Sequence, residues 1–306
     1  MSSGDVAGPA HGAGQAADLD PQVVALLERL RAVGAPPVQE QTPAELRQRL
    51  AATAAVLFGT VDEVASVEDR LAGGVRVRVY EPRPGDAALV YYHGGGWVAG
   101  SVDTHDGIVR ALAARSGRTV VSVDYRLAPE HPYPAGLEDA RTAARWALDQ
   151  FDAVAVGGDS SGATLAAVVA RELPVALQLL ICPALDARCE TDSYARFAEG
   201  TNLTREAMRW YWAQYLGGAD GDDPDASPLR APDLSRAAPA IIAVAECDPL
   251  RDDGLAYAER LRAAGVPVSL RRYEGMVHNF VRFAATLDRA SAALDELASE
   301  LGARLG

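Results

Sequence analysis

The sequence contains no lysine, because all 29 of its lysine-or-arginine positions are arginine. A Schiff-base enzyme, a P-loop phosphate binder and a serine–lysine dyad each require a lysine, so these three classes are excluded. With 42 acidic residues the net charge is −13 at pH 7. This charge repels polyanions, so nucleic acid is not expected as a partner and an anionic membrane surface is disfavoured.

Cysteine is also scarce, and long apolar runs are absent. Cys182, Cys189 and Cys247 form no C-x-x-C pair, so the sequence predicts neither a zinc site nor a disulfide framework. Free thiols favour a reducing compartment, and we therefore expect a cytoplasmic protein. Residues 1–20 lack the features of a signal peptide and predict a disordered tail. No apolar run approaches the roughly 18 residues of a membrane-spanning helix, so membrane insertion is not expected.

Short apolar strands alternate with helical patterns over most of the chain. This alternation predicts an α/β domain whose parallel sheet is covered by helices on both faces. Strands are predicted at 75–80, 87–92, 119–123, 153–156, 175–181, 240–245 and 267–273, and helices at 106–116, 137–149, 163–173, 253–264 and 283–302.

Two segments stand outside the alternation. Amphipathic helices are predicted before the first strand, the second beginning after the capping box Thr42–Glu45. The segment between the strands ending near Cys182 and starting near Ala240 is too long for a simple connection, and it holds helical stretches at 192–199 and 204–216. We expect residues 21–58 and an insertion at about 188–230 to form a cap over a catalytic domain of residues 59–306.

A Gly-Asp-Ser-Ser-Gly motif at 158–162 lies between a predicted strand and a predicted helix. Strand, sharp turn and helix are the context of a nucleophile elbow, which indicates Ser160 as a nucleophile. A serine hydroxyl also needs a base, a group that orients the base, and donors for the developing oxyanion. The motif His-Gly-Gly-Gly at 93–96 follows another strand and exposes backbone amides of that kind. A phosphate-binding loop is disfavoured, because no GxGxxG or GK[ST] spacing follows.

The order of residues along the chain indicates which histidine acts as the base. In α/β-hydrolases the serine precedes the acid and the acid precedes the histidine, and His278 is the one histidine after Ser160. For the acid, Asp248 is favoured because it lies in the loop immediately beyond a strand. Asp252 and Asp253 are more typical of a helix N-terminal turn. Glu246 is the next candidate for the acid if Asp248 is not the one.

At these residues the chain resembles the hormone-sensitive lipase family of α/β-hydrolases, including its bacterial family IV esterases. The resemblance rests on segments at 92–97, 124–135, 158–162 and 248–252, and on Gly275 with His278 and Phe280, in the order of the family. It implies an eight-stranded, mostly parallel sheet flanked by helices, with a helical cap.

The resemblance also implies roles for single residues, with no metal and no organic cofactor. His93 would brace the glycine loop, and His105 and His131 would be structural. Catalytic roles fall on Ser160 as nucleophile, His278 as base and Asp248 as its orienter, and oxyanion donors on the amides of Gly94, Gly95 and Ser161.

An apolar face on the insertion helix admits two interpretations. Met208, Tyr211, Trp212 and Tyr215 recur at helical spacing. In one interpretation this face packs the cap onto the body. In the other, Tyr211, Trp212 and Tyr215 join Trp97 and Val98 as walls of the acyl pocket.

The expected function is hydrolysis of short- to medium-chain carboxylic esters through an acyl-enzyme. A deacetylase or amidase acting on a secondary metabolite would use the same triad and remains an alternative. A non-catalytic small-molecule receptor is disfavoured, because receptors on this fold lose the base and His278 is present. The expected partner is a small-molecule ester, and a homodimer could form through the edge strand near 267–273.

Overall fold

The structure is a computed structural model that describes residues 18–306. The predicted tail, residues 1–20, lies outside the described residues except for its last three. Of these, Asp20 caps the first helix by accepting a hydrogen bond from the amide of Gln22 at 2.7 Å. Among the described residues no helix is long and apolar enough to cross a bilayer.

The eight-stranded, mostly parallel sheet that the resemblance implied is confirmed. The strands are β1 Ser66–Ala72, β2 Val75–Glu81, β3 Ala87–Tyr92, β4 Thr119–Val123, β5 Ala153–Asp159, β6 Leu177–Ile181, β7 Ala240–Cys247 and β8 Val268–Val277. Their order in the sheet is β1-β2-β4-β3-β5-β6-β7-β8, in which β2 is antiparallel to both of its neighbours and all other neighbouring strands are parallel.

Helices cover both faces of this sheet. Leu89 and Tyr91 of β3 pack in a cluster with α1, α3 and α9, whereas Val90 and Tyr92 pack in a cluster with α4, α5 and α8. The helices are α1 Pro21–Ala32, α2 Pro43–Phe58, α3 Asp106–Ser116, α4 Ala135–Gln150, α5 Ser161–Glu172, α6 Asp192–Arg196, α7 Arg205–Leu216, α8 Arg251–Ala263 and α9 Asp288–Arg304.

The apolar strands and the capping box lie close to where the sequence predicts them, and β1 is the element that the patterns miss. The capping box of α2 is complete, with Thr42 and Glu45 bonding each other's backbone amides. β1 is polar and largely exposed, because it is the outer strand of a hairpin and packs few side chains. A strand without a buried face carries no alternating apolar signal.

The N-terminal helices and the insertion meet above the glycine loop that follows β3. Val98 of that loop shares an apolar cluster with Leu46 of α2, and Trp210 and Tyr211 of α7 pack against the same cluster. The Arg47 guanidinium also donates to the carbonyl oxygen of Val98 at 2.8 Å. The two segments therefore enclose the carboxyl edge of the sheet together.

Candidate active site

Ser160 lies at the sharp turn between β5 and α5. Its φ is 55° and its ψ is −119°, a backbone conformation that non-glycine residues rarely adopt. The following turn is tight, since a Cβ on Gly162 would overlap the carbonyl oxygen of Tyr92. The turn thus has the geometry of a nucleophile elbow, which presents the serine hydroxyl at the carboxyl end of the sheet.

Three polar side chains from β5, β7 and β8 form one hydrogen-bonded chain. Ser160 Oγ lies 2.9 Å from His278 Nε2, and His278 Nδ1 lies 2.8 Å from the carboxylate of Asp248. Asp248 and His278 each follow their strand directly, and the two strands are parallel neighbours. Because a carboxylate can only accept, Nδ1 carries the proton and Nε2 presents its lone pair to the serine hydroxyl. This arrangement lets the imidazole remove the hydroxyl proton.

The other candidate acids have different partners. Asp252 and Asp253 accept hydrogen bonds from backbone amides of the segment after β6, at 2.8 and 3.1 Å. Glu246 pairs with an arginine of β8 at 2.6 Å. Of the four acids weighed from the sequence, Asp248 is the one that reaches His278.

Asp159, the residue before the serine, was not singled out by the sequence patterns. Its carboxylate is fully buried and accepts hydrogen bonds from the Tyr91 hydroxyl at 2.6 Å, the Gly94 amide at 3.0 Å and the Asn279 side chain at 2.5 Å. His105 Nε2 lies 3.3 Å away. Burial raises the pKa of this carboxyl, but His105 and the hydrogen bonds outweigh burial and hold the pKa below its usual range.

This carboxylate therefore connects three parts of the site: the glycine loop after β3, the serine turn, and the residue that follows His278. A signal for it does exist in the sequence. Asp159 ends an apolar strand and precedes the predicted nucleophile, so burial is expected there, and a buried carboxylate requires several donors. Which donors surround Asp159 depends on how β3, α3 and the histidine loop come together, and no local pattern contains that information.

The glycine loop corrects one predicted role. The Gly94 amide is bonded to the carboxylate just described, so it is not free to stabilise an oxyanion, and its assignment as a donor is wrong. Within residues 18–306 the amides of Gly95, Gly96 and Ser161 donate no hydrogen bond. Ser161 begins α5, where the first amides of a helix have no intrahelical acceptor. These three amides therefore remain unpaired, as donors for an oxyanion must be.

Most of the residues expected to line the pocket are packed between α7 and the glycine loop that follows β3. Trp97 stacks on Tyr215 with ring centroids 4.4 Å apart, and the centroid of Trp212 lies 4.2 Å from that of Trp97. These rings and Val98 are all buried. Their environment is the one expected for residues that fix the cap onto the body.

Tyr211 has a different environment. It is partly exposed, and its ring lies directly over Gly96, where a Cβ would overlap it. Burial raises the pKa of its hydroxyl to about 12, so the hydroxyl is neutral at physiological pH. In the described part of the chain this hydroxyl has no hydrogen-bond partner, which leaves it available to a ligand.

Within residues 18–306, the histidines other than His278 form no hydrogen bond with Ser160. His93 is buried, stacks on Tyr125 with centroids 4.3 Å apart, and its Nδ1 lies 2.9 Å from the carbonyl oxygen of Gly94. Burial and the neighbouring His105 lower the pKa of His93 to about 3, so it is neutral. His131 is exposed.

One group of possible metal ligands is found in residues 18–306, and it overlaps the site. The ligating atoms of Cys182, Asp248 and His278 lie within 4.8 Å of one another. The imidazole and carboxylate are already bonded to each other, and burial raises the pKa of the Cys182 thiol, which keeps its proton. A metal ion here would displace the hydrogen bond that orients the base.

Comparisons with known proteins agree with this geometry. A family model described as the α/β hydrolase fold matches residues 89–282. Carboxylic ester hydrolase LipN of Mycobacterium tuberculosis is 45% identical over 257 residues, which are 76% of this chain and 68% of the relative. Ethyl acetate hydrolase of Pseudomonas putida is 38% identical over 275 residues, which are 82% of this chain and 86% of the relative.

A solved structure is similar over nearly the whole chain. A mutant of LAE6, an α/β hydrolase enzyme from the metagenome of Lake Arreo in Spain, superimposes with a TM-score of 0.89 at 37% sequence identity. The match covers 94% of this chain and 98% of the other. The similarity therefore extends beyond residues 89–282, which the family model matches.

Proposed function

The chain belongs to the hormone-sensitive lipase-like esterases of the α/β-hydrolase family, and on that premise we propose that it cleaves small carboxylic esters through an acyl-enzyme on Ser160. Ester hydrolysis itself is the activity of its named relatives. The observation that carries the proposal is the chain of hydrogen bonds from Ser160 through His278 to Asp248, at 2.9 and 2.8 Å.

The reaction begins when Ser160 Oγ attacks the ester carbonyl and His278 Nε2 accepts the hydroxyl proton. Asp248 holds Nδ1 and stabilises the imidazolium that forms. Negative charge develops on the carbonyl oxygen, where the amides of Gly95, Gly96 and Ser161 would stabilise it.

His278 then returns its proton to the departing alcohol, and the acyl-enzyme remains. Water repeats the sequence on the acyl-enzyme: His278 removes a proton from water, the oxygen attacks the acyl carbonyl, and Ser160 leaves with the proton. No redox step and no metal is required for the balance of atoms and charge.

We propose Asp159 as a positioning residue for this reaction. It holds Gly94 and Asn279 from opposite sides, so it sets the glycine loop and the histidine loop relative to the serine. Such a residue contributes by keeping the donors and the base within reach of the reacting atoms.

We infer a preference for short to medium acyl chains. Ser160 and His278 are only 6% and 7% exposed, so the reacting atoms lie beneath the cap. The name of one relative, ethyl acetate hydrolase, points to a small ester for that protein.

The wider organisation is proposed on the same basis. Residues 21–58 and 188–230 would act as a cap on the catalytic domain 59–306, because α2 and α7 meet above the glycine loop. Three unpaired, buried cysteines favour a cytoplasmic location. The edge strand β8 could support a homodimer, which light scattering of the purified chain would reveal as a doubled mass.

A panel of 4-nitrophenyl esters from acetate to palmitate tests the proposal. We expect rates to be highest at short to medium lengths, and Ser160→Ala to lower kcat by at least about 10⁴-fold. Ser122→Ala is a matched control, since Ser122 is a buried serine of β4 outside the site. Undiminished hydrolysis by Ser160→Ala, folded as judged by circular dichroism, would contradict the proposal.

A further inference from the structure

Arg282 is a cation without a counter-charge at the edge of the active site. It lies in the single-turn helix Phe280–Phe283, four residues after His278. In the described part of the chain its guanidinium has no hydrogen-bond or ion-pair partner, and its Nη2 atom is buried. By contrast, the guanidinium groups of Arg126 and Arg141 are each bonded to two carboxylates.

The guanidinium lines a cavity of about 100 Å³ between α2 and the beginning of α3. This volume exceeds the roughly 30 Å³ that one water occupies in the liquid, so the cavity can admit a small polar group. Its other walls are mainly apolar or uncharged and include Ala54, Phe58, Thr104, Gly107 and Ile108.

Two carboxylates also line the cavity, and both are bonded elsewhere. Asp103 pairs with Arg78 at 2.6 Å. Asp106 accepts from the Tyr80 hydroxyl at 2.8 Å and pairs with Arg110 at 2.7 Å. Arg282 is therefore the charged group among the cavity's lining residues that keeps free donors.

Arg282 connects this cavity to the surroundings of Ser160. Arg282 interacts electrostatically with Asp159, Tyr211 and Tyr91, which belong to the serine turn and its surroundings. Asp159 does not satisfy it, because the acceptor positions of that carboxylate are directed to the four groups already described. Burial lowers the pKa of Arg282, and the carboxylate of Asp159 acts in the opposite direction.

A partly buried guanidinium with free donors is costly unless an anion satisfies it. A carboxylate is the complementary group, because the planar guanidinium offers two parallel N–H donors to its two oxygens. Tyr211, whose ring lies over Gly96 and which interacts electrostatically with Arg282, adds a neutral hydroxyl as a further free donor.

We propose that Arg282 and the cavity beside α2 and α3 form an anion-binding subsite that selects ester substrates carrying a carboxylate group. The inference rests on the proposed esterase activity, since the subsite would act by holding one end of a substrate whose ester lies at Ser160. The carboxylate can stand on the acyl part or on the alcohol part of the ester, and the test contains one arm for each.

The experiment compares each anionic ester with its own methyl ester. In the acyl arm the pair is 4-nitrophenyl hydrogen adipate and 4-nitrophenyl methyl adipate, and in the alcohol arm it is 4-acetoxybenzoate and methyl 4-acetoxybenzoate. The quantity measured is the ratio of kcat/KM for the anionic ester to that for the neutral ester. We expect Arg282→Gln to lower this ratio by at least about tenfold in one arm, mainly through KM, and Arg282→Lys to lower it less.

Arg289→Gln is the matched control, because it removes the same charge from an exposed site on α9. It should leave the ratio at the wild-type value. An Arg282→Gln ratio equal to wild type in both arms, or an equal fall in Arg289→Gln, would overturn the subsite.

A second measurement uses the wild-type protein alone, so it tests the subsite even if Arg282→Gln does not fold. Benzoate should inhibit hydrolysis of methyl 4-acetoxybenzoate at least about tenfold more strongly than benzamide. Equal inhibition would overturn the subsite. Failure of the esterase proposal can be told apart from failure of the subsite. In that case the wild-type protein would show no Ser160-dependent hydrolysis of either neutral ester.

Discussion

Polar groups at the carboxyl edge of the sheet differ from those under the cap in how completely they are bonded. At the sheet edge Ser160 and Asp159 have partners within hydrogen-bond distance. Under the cap, within residues 18–306, the Tyr211 hydroxyl and the Arg282 guanidinium have none, and the Trp212 indole N–H is buried without one.

The difference corresponds to two tasks. A catalytic hydroxyl and imidazole must be held in one geometry, and the hydrogen-bonded carboxylates of Asp159 and Asp248 supply that restraint. A surface that receives a variable substrate must instead keep donors and apolar area free until the substrate arrives. We therefore expect changes at the sheet edge to lower kcat and changes under the cap to affect stability or KM.

The largest effect is expected at the acid of the triad. Asp248→Asn should lower kcat by about 10³- to 10⁴-fold with little change in fold, because an amide cannot hold the imidazole in the required tautomer and stabilise its charge. Asp253→Asn is the matched control, since burial raises the pKa of that carboxyl and its hydrogen bond is to a backbone amide. Similar kcat values for the two variants on 4-nitrophenyl butyrate would contradict the role of Asp248.

Removal of a ring that joins cap to body should act on stability. Trp212→Ala deletes a buried ring that packs against Trp97 and lies near Tyr215, and should lower the free energy of unfolding by about 3–5 kcal/mol. Trp210→Ala, two residues away and partly exposed, should cost less. Urea unfolding measures both, and equal costs would show that the aromatic cluster does not fix the cap.

The buried carboxylate beside the serine should give an intermediate effect on catalysis. Asp159→Asn removes the charge that faces His105 and an acceptor of the Gly94 amide, so kcat should fall by about 10- to 100-fold with a smaller change in KM. Asp139→Asn, at a buried carboxylate paired with Arg126, is the control. A change in KM with kcat unchanged would argue against a positioning role for Asp159.

The smallest effect is a pH dependence of stability from His93. Its folded pKa is about 3, below the 6.5 of an unfolded histidine, so the unfolded chain binds one more proton between these values. This contribution is complete above pH 6.5 and is lost as the pH falls, by roughly 1 kcal/mol per unit. Urea unfolding between pH 7 and 5 should show that His93→Gln lacks this component. If the free energy of unfolding changed with pH equally in the variant and in the wild type, His93 would not be a neutral, buried group.

Sequence patterns predicted the sheet edge well for a physical reason. Apolar strands and the order serine, acid, histidine are local or linear features, and they placed Ser160, Asp248 and His278 at strand ends before any contact was known. The role of Gly94 was wrong because its amide binds Asp159, and that pairing depends on the parallel pairing of β3 with β5. No local pattern predicts which amide a buried carboxylate will bind.

The segment between β6 and β7 was predicted in outline and not in detail. Helical periodicity located its helices, but the same apolar face of α7 is expected whether its rings pack inward or line a pocket. The free guanidinium of Arg282 is invisible in the sequence as well. Arg282 lacks a carboxylate partner because the neighbouring acids are bonded to other residues, and those pairings arise only in the folded chain.

Reaction with a fluorophosphonate probe tests the central assignment of Ser160 most directly. Such a probe phosphonylates a serine only when a base activates the hydroxyl and amides stabilise the developing charge. We predict one adduct per chain in intact-mass spectra, located by peptide mapping at Ser160, and no adduct in Ser160→Ala. An unlabelled wild-type protein, or equal labelling of Ser160→Ala, would contradict the account.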